Sequence, residues 1–425
     1  MTDLLAELQW RGFVQQATPH LKAHLARGPA TAYCGFDPTA PSLQLGNLVP
    51  VMLLTHLQRH GHRPIALMGG GTGLIGDPSG RRTERPLLPR AELRANLERQ
   101  QAQMAHFLDF AGGKALLLDN AAWLEPARLV EFLRDVGKHF TVNVMLQKES
   151  VQARLESGLS FTEFSYMLLQ AYDFLQLYRS HGCTLQVGGS DQWGNITAGV
   201  DLIRRVESGE AHALVSPLVT TASGTKFGKT EAGAVYLAPA LTSPYRFFQF
   251  WINVDDRDVE GYLKLFTLRA RDEIRELMKG QEADPGARKA QRVLALDVTR
   301  QVHGLDAGRA AEHASLILFG DLDPHNASND VFDTLAGEIP TTVVPPSDTV
   351  GVVDALTRTG LVKSKGEARR AIEQGGIYVN QQRERAVERR LGPGDWIAGR
   401  NVLLRKGKKE YALLRRKAGG GRGEA

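Results

Sequence analysis

The chain has 425 residues, 42% hydrophobic and 23% charged, which corresponds to about three domains of ordinary globular composition. No apolar run approaches the ~18 residues needed to cross a bilayer, and Met1–Glu7 has neither the basic nor the apolar region of a secretory signal. The two cysteines, Cys34 and Cys183, cannot form a disulfide framework or a four-ligand zinc site, and the twelve histidines show no HExxH or His/Cys spacing. We therefore expect a cytoplasmic protein with no membrane segment and no dedicated metal site.

Charge is unevenly distributed along the chain. The formal net charge is +5, from 52 Lys and Arg and 47 Asp and Glu. Residues 351–425 hold 18 of these basic and 8 of these acidic residues, a surplus of +10, which leaves −5 for the first 350 residues. A basic tail on a mildly acidic body indicates a polyanionic partner, and nucleic acid is the usual one.

Strand-like apolar runs alternate with helical patterns over the first half of the chain. The strand-like runs are Thr31–Phe36, Pro64–Gly69, Ala115–Asp119 and Thr184–Gly188. The helical patterns are Leu48–His60, Arg90–Phe110, Pro126–Val136, Thr162–Ser180 and Asp191–Val206. This alternation predicts an α/β domain over residues 1–240, built on a Rossmann-like, doubly wound parallel sheet with ligands at the carboxyl ends of its strands.

The pattern changes after about Ser243. Four helical stretches follow without intervening strands, which predicts a small all-helical domain over residues 241–337: Arg257–Thr267, Arg271–Gly280, Pro285–Gly304 and Asp306–Phe319. Residues 338–348 are rich in Pro and Thr and are expected to form a linker.

A small α+β domain is expected over residues 349–417. Ser364–Glu367 is a capping box that opens a helix, Gly376–Asn380 is strand-like, and Val402–Arg405 and Tyr411–Leu414 flank a hairpin turn. The Gly-rich residues 418–425 are expected to be disordered.

Two motifs resemble nucleotide-binding sequences, but the residues around each motif exclude that assignment. Gly71–Gly76 matches G-x-G-x-x-G, but Asp77-Pro-Ser follows at once, so no helix opens to receive a pyrophosphate. Ser223–Thr230 approximates a phosphate loop, but its first glycine is replaced by Ser223 and no helix follows. What remains is a Gly-interrupted loop with Lys226 and Lys229, suited to placing mobile charge on a polyphosphate.

Two strand–loop–helix junctions are candidate ligand sites. The first, Gly35–Asn47, has Gly and Thr at the turn and a helix N-terminus that offers free N–H donors to an anion. Gly46 there would let a flat ring approach closely, although a simple tight turn explains the same residues. The second, Val187–Asn195, places Asp191 near a helix start, where it could bind a ribose diol or only cap the helix.

One predicted helix has a polar face among apolar residues. Tyr166, Gln170 and Asp173 fall at i, i+4 and i+7 on a helix otherwise rich in Phe, Met and Leu. Buried polar groups need partners, so this face indicates either an internal hydrogen-bond network or a pocket for a small polar molecule.

Taken together, five motifs make the chain resemble bacterial tyrosyl-tRNA synthetases, which are class I aminoacyl-tRNA synthetases. The motifs are Tyr33–Thr39, Leu74–Gly80, Phe161–Asp173, Val187–Gly199 and Lys226–Thr230, in that order. The resemblance covers nearly the whole chain, and the tail is similar to the S4-type RNA-binding domain that ends these enzymes. It implies a homodimer that activates L-tyrosine with ATP and Mg²⁺ and transfers it to tRNA(Tyr), with no bound organic cofactor.

The resemblance also implies roles for individual residues. The substrate phenol would meet Tyr33 and Asp173, its ammonium would meet Asp77, Tyr166 and Gln170, and Gln192 would lie near its carboxylate. ATP would be bound by residues of the two junctions and the lysine loop: Cys34, Gly35, Asp37, Gly46, Asn47, Gly188, Asp191 and Lys229. Catalytic roles fall to residues that would reach the phosphates: Thr39, Gln44, Lys226, Lys229 and Thr230.

The first signature of the family departs from its pattern here. His-Ile-Gly-His is replaced by Gln44-Leu-Gly-Asn47, so neutral N–H donors stand where the family has histidines. We hypothesise that Gln44 donates to the γ-phosphate together with Thr39. A tryptophan enzyme of the same subclass and a non-catalytic RNA-binding protein that reuses the fold stay open as alternatives.

Overall fold

The computed structural model describes residues 3–79, 83, 87–155, 158–225, 227–230, 233–320, 322–346 and 349–417. The chain divides into two compact units, residues 1–242 with 254–294 and residues 243–253 with 295–425. The helices between residues 241 and 337 are therefore distributed over both units, and the domain boundaries expected from the sequence remain a prediction. No described helix is long and apolar enough to cross a membrane.

The first unit is built on a six-stranded sheet of order β1-β6-β5-β2-β3-β4. Its strands are β1 (Gln16–Ala17), β2 (Thr31–Phe36), β3 (Arg63–Met68), β4 (Leu116–Asp119), β5 (Cys183–Gly189) and β6 (His212–Ser216). Among the described strands of this sheet, β1 and β6 pair antiparallel and the other neighbours pair in parallel. This confirms the predicted parallel α/β sheet, while β1 and β6 were not foreseen.

Helices alternate with these strands along the chain. Up to residue 207 they are α1 (Leu4–Arg11), α2 (Leu21–Ala26), α3 (Leu45–Arg59), α4 (Arg90–Met104), α5 (Ala121–Leu124), α6 (Leu129–Asp135), α7 (Val142–Leu146), α8 (Glu149–Leu155), α9 (Phe161–His181) and α10 (Trp193–Glu207). The longest, α9, begins at the N-cap Ser160, whose hydroxyl accepts from the backbone N–H of Glu163, and ends at Gly182 in the left-handed conformation.

The core of the first unit lies between the sheet and α9. Met167, Ala171 and Phe174 of α9 share a buried cluster with Tyr33 of β2 and Ile65 of β3. The apolar side chains of α9 thus pack against the sheet, and this packing fixes the direction in which the polar face of α9 points.

Residues 217–303 contribute two further short strands and four helices. They are β7 (Lys229–Thr230), β8 (Gly233–Ala234), α11 (Pro244–Ile252), α12 (Val259–Phe266), α13 (Arg271–Ala283) and α14 (Lys289–His303). Helices α12, α13 and α14 match the expected stretches closely, whereas α11, with the aromatic sequence Phe247-Phe-Gln-Phe-Trp251, was not predicted.

The second unit combines helices with a five-stranded sheet of order β11-β10-β12-β13-β9. Its remaining elements are α15 (Leu305–Phe319), α16 (Asn329–Ala336), β9 (Thr341–Val344), α17 (Val352–Arg358), α18 (Lys365–Glu373), β10 (Ile377–Val379), β11 (Gln382–Glu384), β12 (Asn401–Lys406) and β13 (Glu410–Arg416). Half of the predicted capping box is present, since the Ser364 hydroxyl accepts from the N–H of Glu367, but the Glu367 carboxylate accepts from the N–H of Lys363 and not from that of Ser364. The β12–β13 hairpin is confirmed.

The segment expected to be a linker holds part of this sheet. Residues 341–344 form β9 and pair in parallel with β13, from Leu413 to Arg416. The β-branched sequence Thr-Thr-Val-Val explains the strand, which the neighbouring prolines obscured. Residues 347 and 348 and the tail 418–425 lie outside the described residues.

Candidate active site

The candidate site lies where the order of the parallel strands reverses. From the central strand β2, the chain adds β3 and β4 on one side and then returns to add β5 and β6 on the other. The carboxyl ends of β2 and β5 therefore flank a switch point, which is where open α/β sheets bind ligands. The loop after β2 carries Asp37 and Thr39, and the turn after β5 carries Asp191 and Gln192.

A buried carboxylate lies at the base of this site. Asp173 of α9 accepts hydrogen bonds from Asn120 Nδ2 at 2.9 Å and from Trp123 Nε1 at 2.7 Å. Burial raises the pKa of Asp173 to about 7, although both donors act to lower it. Tyr33 lies beside it on β2, with its ring centroid 5.2 Å from that of Phe174.

Two buried polar atoms of the site have no hydrogen-bond partner among the described residues. They are the Tyr33 hydroxyl and Gln170 Oε1. Burial and the neighbouring Asp173 raise the pKa of Tyr33 well above its usual range, so this hydroxyl stays protonated. A buried polar atom without a partner costs about 1–3 kcal/mol, and a polar ligand would remove that cost.

The middle of the site is held by Asp37. Its Oδ2 accepts from the Tyr166 hydroxyl at 2.8 Å and its Oδ1 accepts from the Thr72 hydroxyl at 2.7 Å. Gly69, after β3, leaves room for this carboxylate, because a Cβ at that position would lie 2.0 Å from Asp37 Oδ1 and would displace it. The polar face of α9 is thereby tied to the loops after β2 and β3.

A third group surrounds Asp77. Its Oδ2 accepts from Gln192 Nε2 at 2.7 Å, and its Oδ1 accepts from the backbone N–H of Ser79 at 2.9 Å. Asn195 Nδ2 donates to the Ser79 hydroxyl at 3.2 Å and to Gln192 Oε1 at 3.2 Å. The motif after β3 and the start of α10, 115 residues apart in sequence, thus form one network.

Residues expected to bind the nucleotide lie along β2 and β5. Cys34 is buried, and burial raises the pKa of its thiol to about 12, so it is no nucleophile at neutral pH. Gly35 and Thr39 are exposed. Gly188 is confined, since a Cβ there would lie 3.2 Å from the Ile196 side chain.

The N-terminus of α3 holds the altered signature. Gln44 is the N-cap residue, and Asn47 Oδ1 accepts from its backbone N–H at 2.9 Å. Asn47 therefore has a capping role whether or not it also contacts a ligand. Gly46 is exposed, and a Cβ there would meet no atom within 4 Å.

The lysine loop lies directly against this helix start. The backbone N–H of Leu45 donates to the carbonyl of Val235 at 3.0 Å, and the N–H of Val235 donates to the carbonyl of Gly228 at 3.0 Å. Gly228 has a φ of 77°, and a Cβ there would lie 2.9 Å from Leu45 Cβ. Two motifs more than 180 residues apart are therefore neighbours.

The described residues include part of the lysine loop. Lys229 is exposed on β7, and Phe227 is buried with its ring stacked on Phe266 at 5.1 Å between centroids. Lys226 and the side chain of Thr230 lie outside the described residues.

Sequence reasoning missed several residues of the site: Thr72, Ser79, Asn120, Trp123 and Asn195. Asn120 directly follows β4, so the rule that ligand groups follow parallel strands would have found it. Trp123 gave no signal, since a lone tryptophan in a short helix has no motif.

The comparisons with known proteins agree along the chain. Residues 25–320 match the family model of class I tRNA synthetases (W and Y), and residues 331–414 match that of the tyrosine–tRNA ligase SYY-like C-terminal domain. A tyrosine–tRNA ligase of Anaeromyxobacter dehalogenans is 54% identical over 418 residues, covering 98% of this chain and all of the relative. One of Roseiflexus castenholzii is 53% identical over 423 residues, with the same coverage.

A solved structure also matches the fold. A C-terminally truncated mitochondrial tyrosyl-tRNA synthetase of Aspergillus nidulans is 30% identical, with a TM-score of 0.67, and the match covers 73% of this chain and 93% of that one. A tryptophanyl-tRNA synthetase of Encephalitozoon cuniculi is 14% identical with a TM-score of 0.52, a likeness of fold alone.

Proposed function

We propose a role for each residue of this site from the premise that the chain belongs to the class I tRNA synthetase family and, within it, to the tyrosine–tRNA ligases. Such an enzyme uses tyrosine, ATP and tRNA as substrates. It forms tyrosyl-adenylate with release of pyrophosphate and then transfers tyrosine to the 3′ end of tRNA(Tyr). The observation that carries the assignment of the tyrosine site is the buried Tyr33 hydroxyl without a partner beside the buried Asp173.

The substrate phenol would fill the base of the site. Its hydroxyl would donate to Asp173 and accept from Tyr33, which satisfies both groups at once. Phenylalanine in the same position would leave the Tyr33 hydroxyl unpaired and would give Asp173 no donor beyond Asn120 and Trp123, so the site disfavours it. An indole N–H could donate to Asp173 but could accept nothing from Tyr33, which argues against tryptophan.

The amino-acid backbone would lie along the polar face of α9. Asp77, Tyr166 and Gln170 would hold the ammonium, since a carboxylate, a hydroxyl and the unpartnered Gln170 Oε1 all offer acceptor oxygens. Gln192 would lie near the substrate carboxylate, held in place by its 2.7 Å hydrogen bond to Asp77.

ATP would bind across the switch point. Its ribose would meet Asp191 and approach Cys34, and Gly35, Gly46 and Gly188 would leave room for the nucleotide. Asp37 would contribute through the loop after β2, and Thr39, Gln44 and Asn47 would reach the phosphates from the N-terminus of α3, where free N–H groups favour anions.

The reaction needs no protein nucleophile. The tyrosine carboxylate would attack the α-phosphate in line, with pyrophosphate as leaving group, so catalysis rests on positioning and on stabilising the charge that develops. Gln44 would donate to the γ-phosphate with Thr39, and Lys226, Lys229 and Thr230 would act from the adjacent loop. A mobile loop can supply this charge late in the step.

Mg²⁺ would enter as part of the ATP substrate. The oxygens of Asp37 and Asp77 already accept hydrogen bonds from neighbouring side chains and backbone. Phosphate oxygens and water would therefore hold the ion.

The second unit would bind tRNA through its basic surface, and the enzyme would act as a homodimer. Apolar side chains are exposed on α6 and α7, with Leu129 70% and Val130 77% exposed, together with Val142 and Val144. Such a patch is typical of a protein interface. Sedimentation should give a dimer that Leu129→Glu with Val130→Glu dissociates, whereas Leu305→Glu, on α15, should have no effect.

Amino-acid-dependent ATP–pyrophosphate exchange over the twenty amino acids tests the proposed function. We expect exchange with tyrosine and none above background with phenylalanine or tryptophan. Exchange with tryptophan alone would contradict the phenol pocket. Binding of tRNA without exchange would support a non-catalytic protein instead. A cytoplasmic location is part of the proposal, in keeping with two free, buried cysteines.

A further inference from the structure

A second cluster of polar groups lies at the opposite end of the strands of the first sheet from the candidate active site. His212 is the first residue of β6, and His24 of α2 and Glu210 lie beside it. One ligand atom from each of the three side chains lies within 4.8 Å of the other two, and the imidazole centroids are 4.5 Å apart. The cluster lies at the amino-terminal ends of the strands, whereas the candidate active site lies at their carboxyl ends.

Each imidazole has one nitrogen held by a threonine hydroxyl. His24 Nε2 lies 2.8 Å from Thr184 Oγ1, and His212 Nδ1 lies 3.3 Å from Thr18 Oγ1. A hydroxyl that accepts an N–H from one ring nitrogen leaves the lone pair on the other. Metal-binding histidines are oriented by such outer contacts.

The opposite nitrogens have no well-formed hydrogen bond among the described residues. His24 Nδ1 and His212 Nε2 are both buried, and the His212 side chain is only 4% exposed. His212 Nε2 lies 3.4 Å from Glu210 Oε1, beyond the distance typical of a good hydrogen bond. Two buried ring nitrogens without a well-formed hydrogen bond, next to a carboxylate, are unusual in a folded core.

The carboxylate of the cluster is oriented by Arg27. Arg27 Nη1 donates to Glu210 Oε2 at 2.8 Å, and the guanidinium thus engages one carboxylate oxygen. The other oxygen, Glu210 Oε1, faces His212, 3.4 Å from its Nε2.

We propose that His24, His212 and Glu210 bind one divalent transition-metal ion, with zinc as the best match and water in the fourth position. Two imidazoles and a carboxylate form a known zinc ligand set. Tetrahedral zinc places its ligand atoms about 3.3 Å apart, so the side chains must close by roughly 1 Å. Rotation of the exposed Glu210 and the half-buried His24 supplies that movement. The ion joins α2 to β6 and stabilises this edge of the sheet.

No sequence motif indicates this proposed metal site. His24 and His212 are 188 positions apart, and no short spacing pattern links them. The sheet alone brings them together.

Zinc binding by the full-length protein tests the proposal. Protein stripped with a chelator is titrated with Zn²⁺ in competition with a chromophoric zinc indicator, and Co²⁺ is substituted to read the ligand field. We expect one equivalent bound, a tetrahedral Co²⁺ spectrum, and a melting temperature raised by added Zn²⁺, because the ion binds only the folded state.

Variants assign the binding to the cluster. Glu210→Gln and His24→Gln should weaken zinc affinity at least tenfold and abolish the melting-temperature shift, while His106→Gln, an exposed histidine on another segment, should behave as wild type. The metal-free melting temperature of Glu210→Gln checks that the fold is intact. Absence of stoichiometric binding at micromolar protein, or equal binding by wild type and both cluster variants, would overturn the site.

Discussion

The Tyr166 hydroxyl donates a hydrogen bond to Asp37 Oδ2 at 2.8 Å, and this contact joins the polar face of α9 to the loop after β2. Asp37 is thus shared between the residues proposed for tyrosine and those proposed for ATP. The 129 positions between the two residues are bridged by the parallel sheet. The two substrates would be aligned through this pair.

Replacing Tyr166 with Phe should therefore impair activation. The change removes a hydrogen bond to a charged group, worth about 1.5–3 kcal/mol, so kcat/KM for tyrosine should fall roughly 10- to 150-fold in pyrophosphate exchange. Tyr172→Phe on the same helix, which alters a ring that packs edge-on against Phe132, is the matched control and should change little. Equal losses in both variants would indicate damage to α9 rather than loss of this contact.

The pKa of Asp173 predicts a pH dependence of tyrosine binding. With the pKa raised to about 7, the carboxyl is protonated below that pH and must lose its proton to accept from the phenol. KM for tyrosine should therefore rise as pH falls through 7. Trp123→Phe removes a donor that lowers this pKa, so the midpoint should move to higher pH.

The pH profile of kcat/KM for tyrosine, measured by exchange, checks this expectation. Trp10→Phe on α1 is the control and should keep the wild-type midpoint. An unchanged midpoint in Trp123→Phe would show that Asp173 does not govern the profile. The raised pKa also means that the folded protein binds more protons than the unfolded one between pH 4 and 7, so this group's contribution to the free energy of unfolding is lost as pH rises through 7.

The altered signature and the lysine loop should act on the rate of activation more than on tyrosine affinity. Lys229→Ala removes a charge proposed to act on the leaving pyrophosphate, and Gln44→Ala removes a donor to the γ-phosphate. Single-turnover formation of tyrosyl-adenylate should slow by at least tenfold in each, with tyrosine Kd within about twofold of wild type. Equal effects of Lys229→Ala on rate and affinity would argue against late engagement, and an unchanged rate in Gln44→Ala would remove its proposed role.

How much of this could be read from the sequence depends on how local each signal is. Strand β2 was predicted to the residue, and the shared face of Tyr166, Gln170 and Asp173 followed from helical spacing alone. Strand β6 was missed although Ser208-Gly209 before it is a turn signal, because His-Ala-Leu-Val-Ser is short and has only three apolar residues between two polar ones. Local patterns thus define elements better than they define pairings.

The partners of the predicted side chains could not be foreseen. Asn120 and Trp123 contact Asp173 although they lie 50 or more positions away in the sequence. The pairing of β4 with β3 in the sheet brings them next to Asp173. In the same way, nothing local indicates that Gly228 lies against Leu45. These contacts depend on the sheet order, which periodicity does not encode.

The contact of Gly228 with the start of α3 can be tested by paired substitutions. Gly228 and Gly224 have φ values of 77° and 79°, so alanine strains the backbone similarly at both. A Cβ at Gly224 meets nothing within 4 Å, whereas one at Gly228 would lie 2.9 Å from Leu45 Cβ. We expect Gly228→Ala to displace the lysine loop and slow adenylate formation roughly tenfold or more, and Gly224→Ala to change it little. Similar rates in the two variants would show that the close approach is not needed.

The basic hairpin of the second unit should act on tRNA and not on activation. Lys408 and Lys409 are exposed in the turn between β12 and β13. Point changes are preferable to truncation there, because Leu403 and Leu413 belong to the same buried cluster as Ala314 and Phe332. A truncation would remove Leu403 and Leu413 from this cluster and would thereby unfold the helices that carry Ala314 and Phe332.

Lys408→Glu with Lys409→Glu should raise KM for tRNA several-fold and lower the slope of log affinity against log salt by about 1 for each phosphate that the hairpin no longer neutralises. Tyrosine-dependent pyrophosphate exchange should be unchanged, because neither lysine lies in the unit that carries the site. Arg275→Glu with Lys279→Glu, two exposed side chains on α13 of the first unit, makes the same change in net charge and should leave charging intact. If charging by the double variant equals that of wild type, the hairpin does not contact tRNA and the basic surplus of residues 351–425 must act through other side chains.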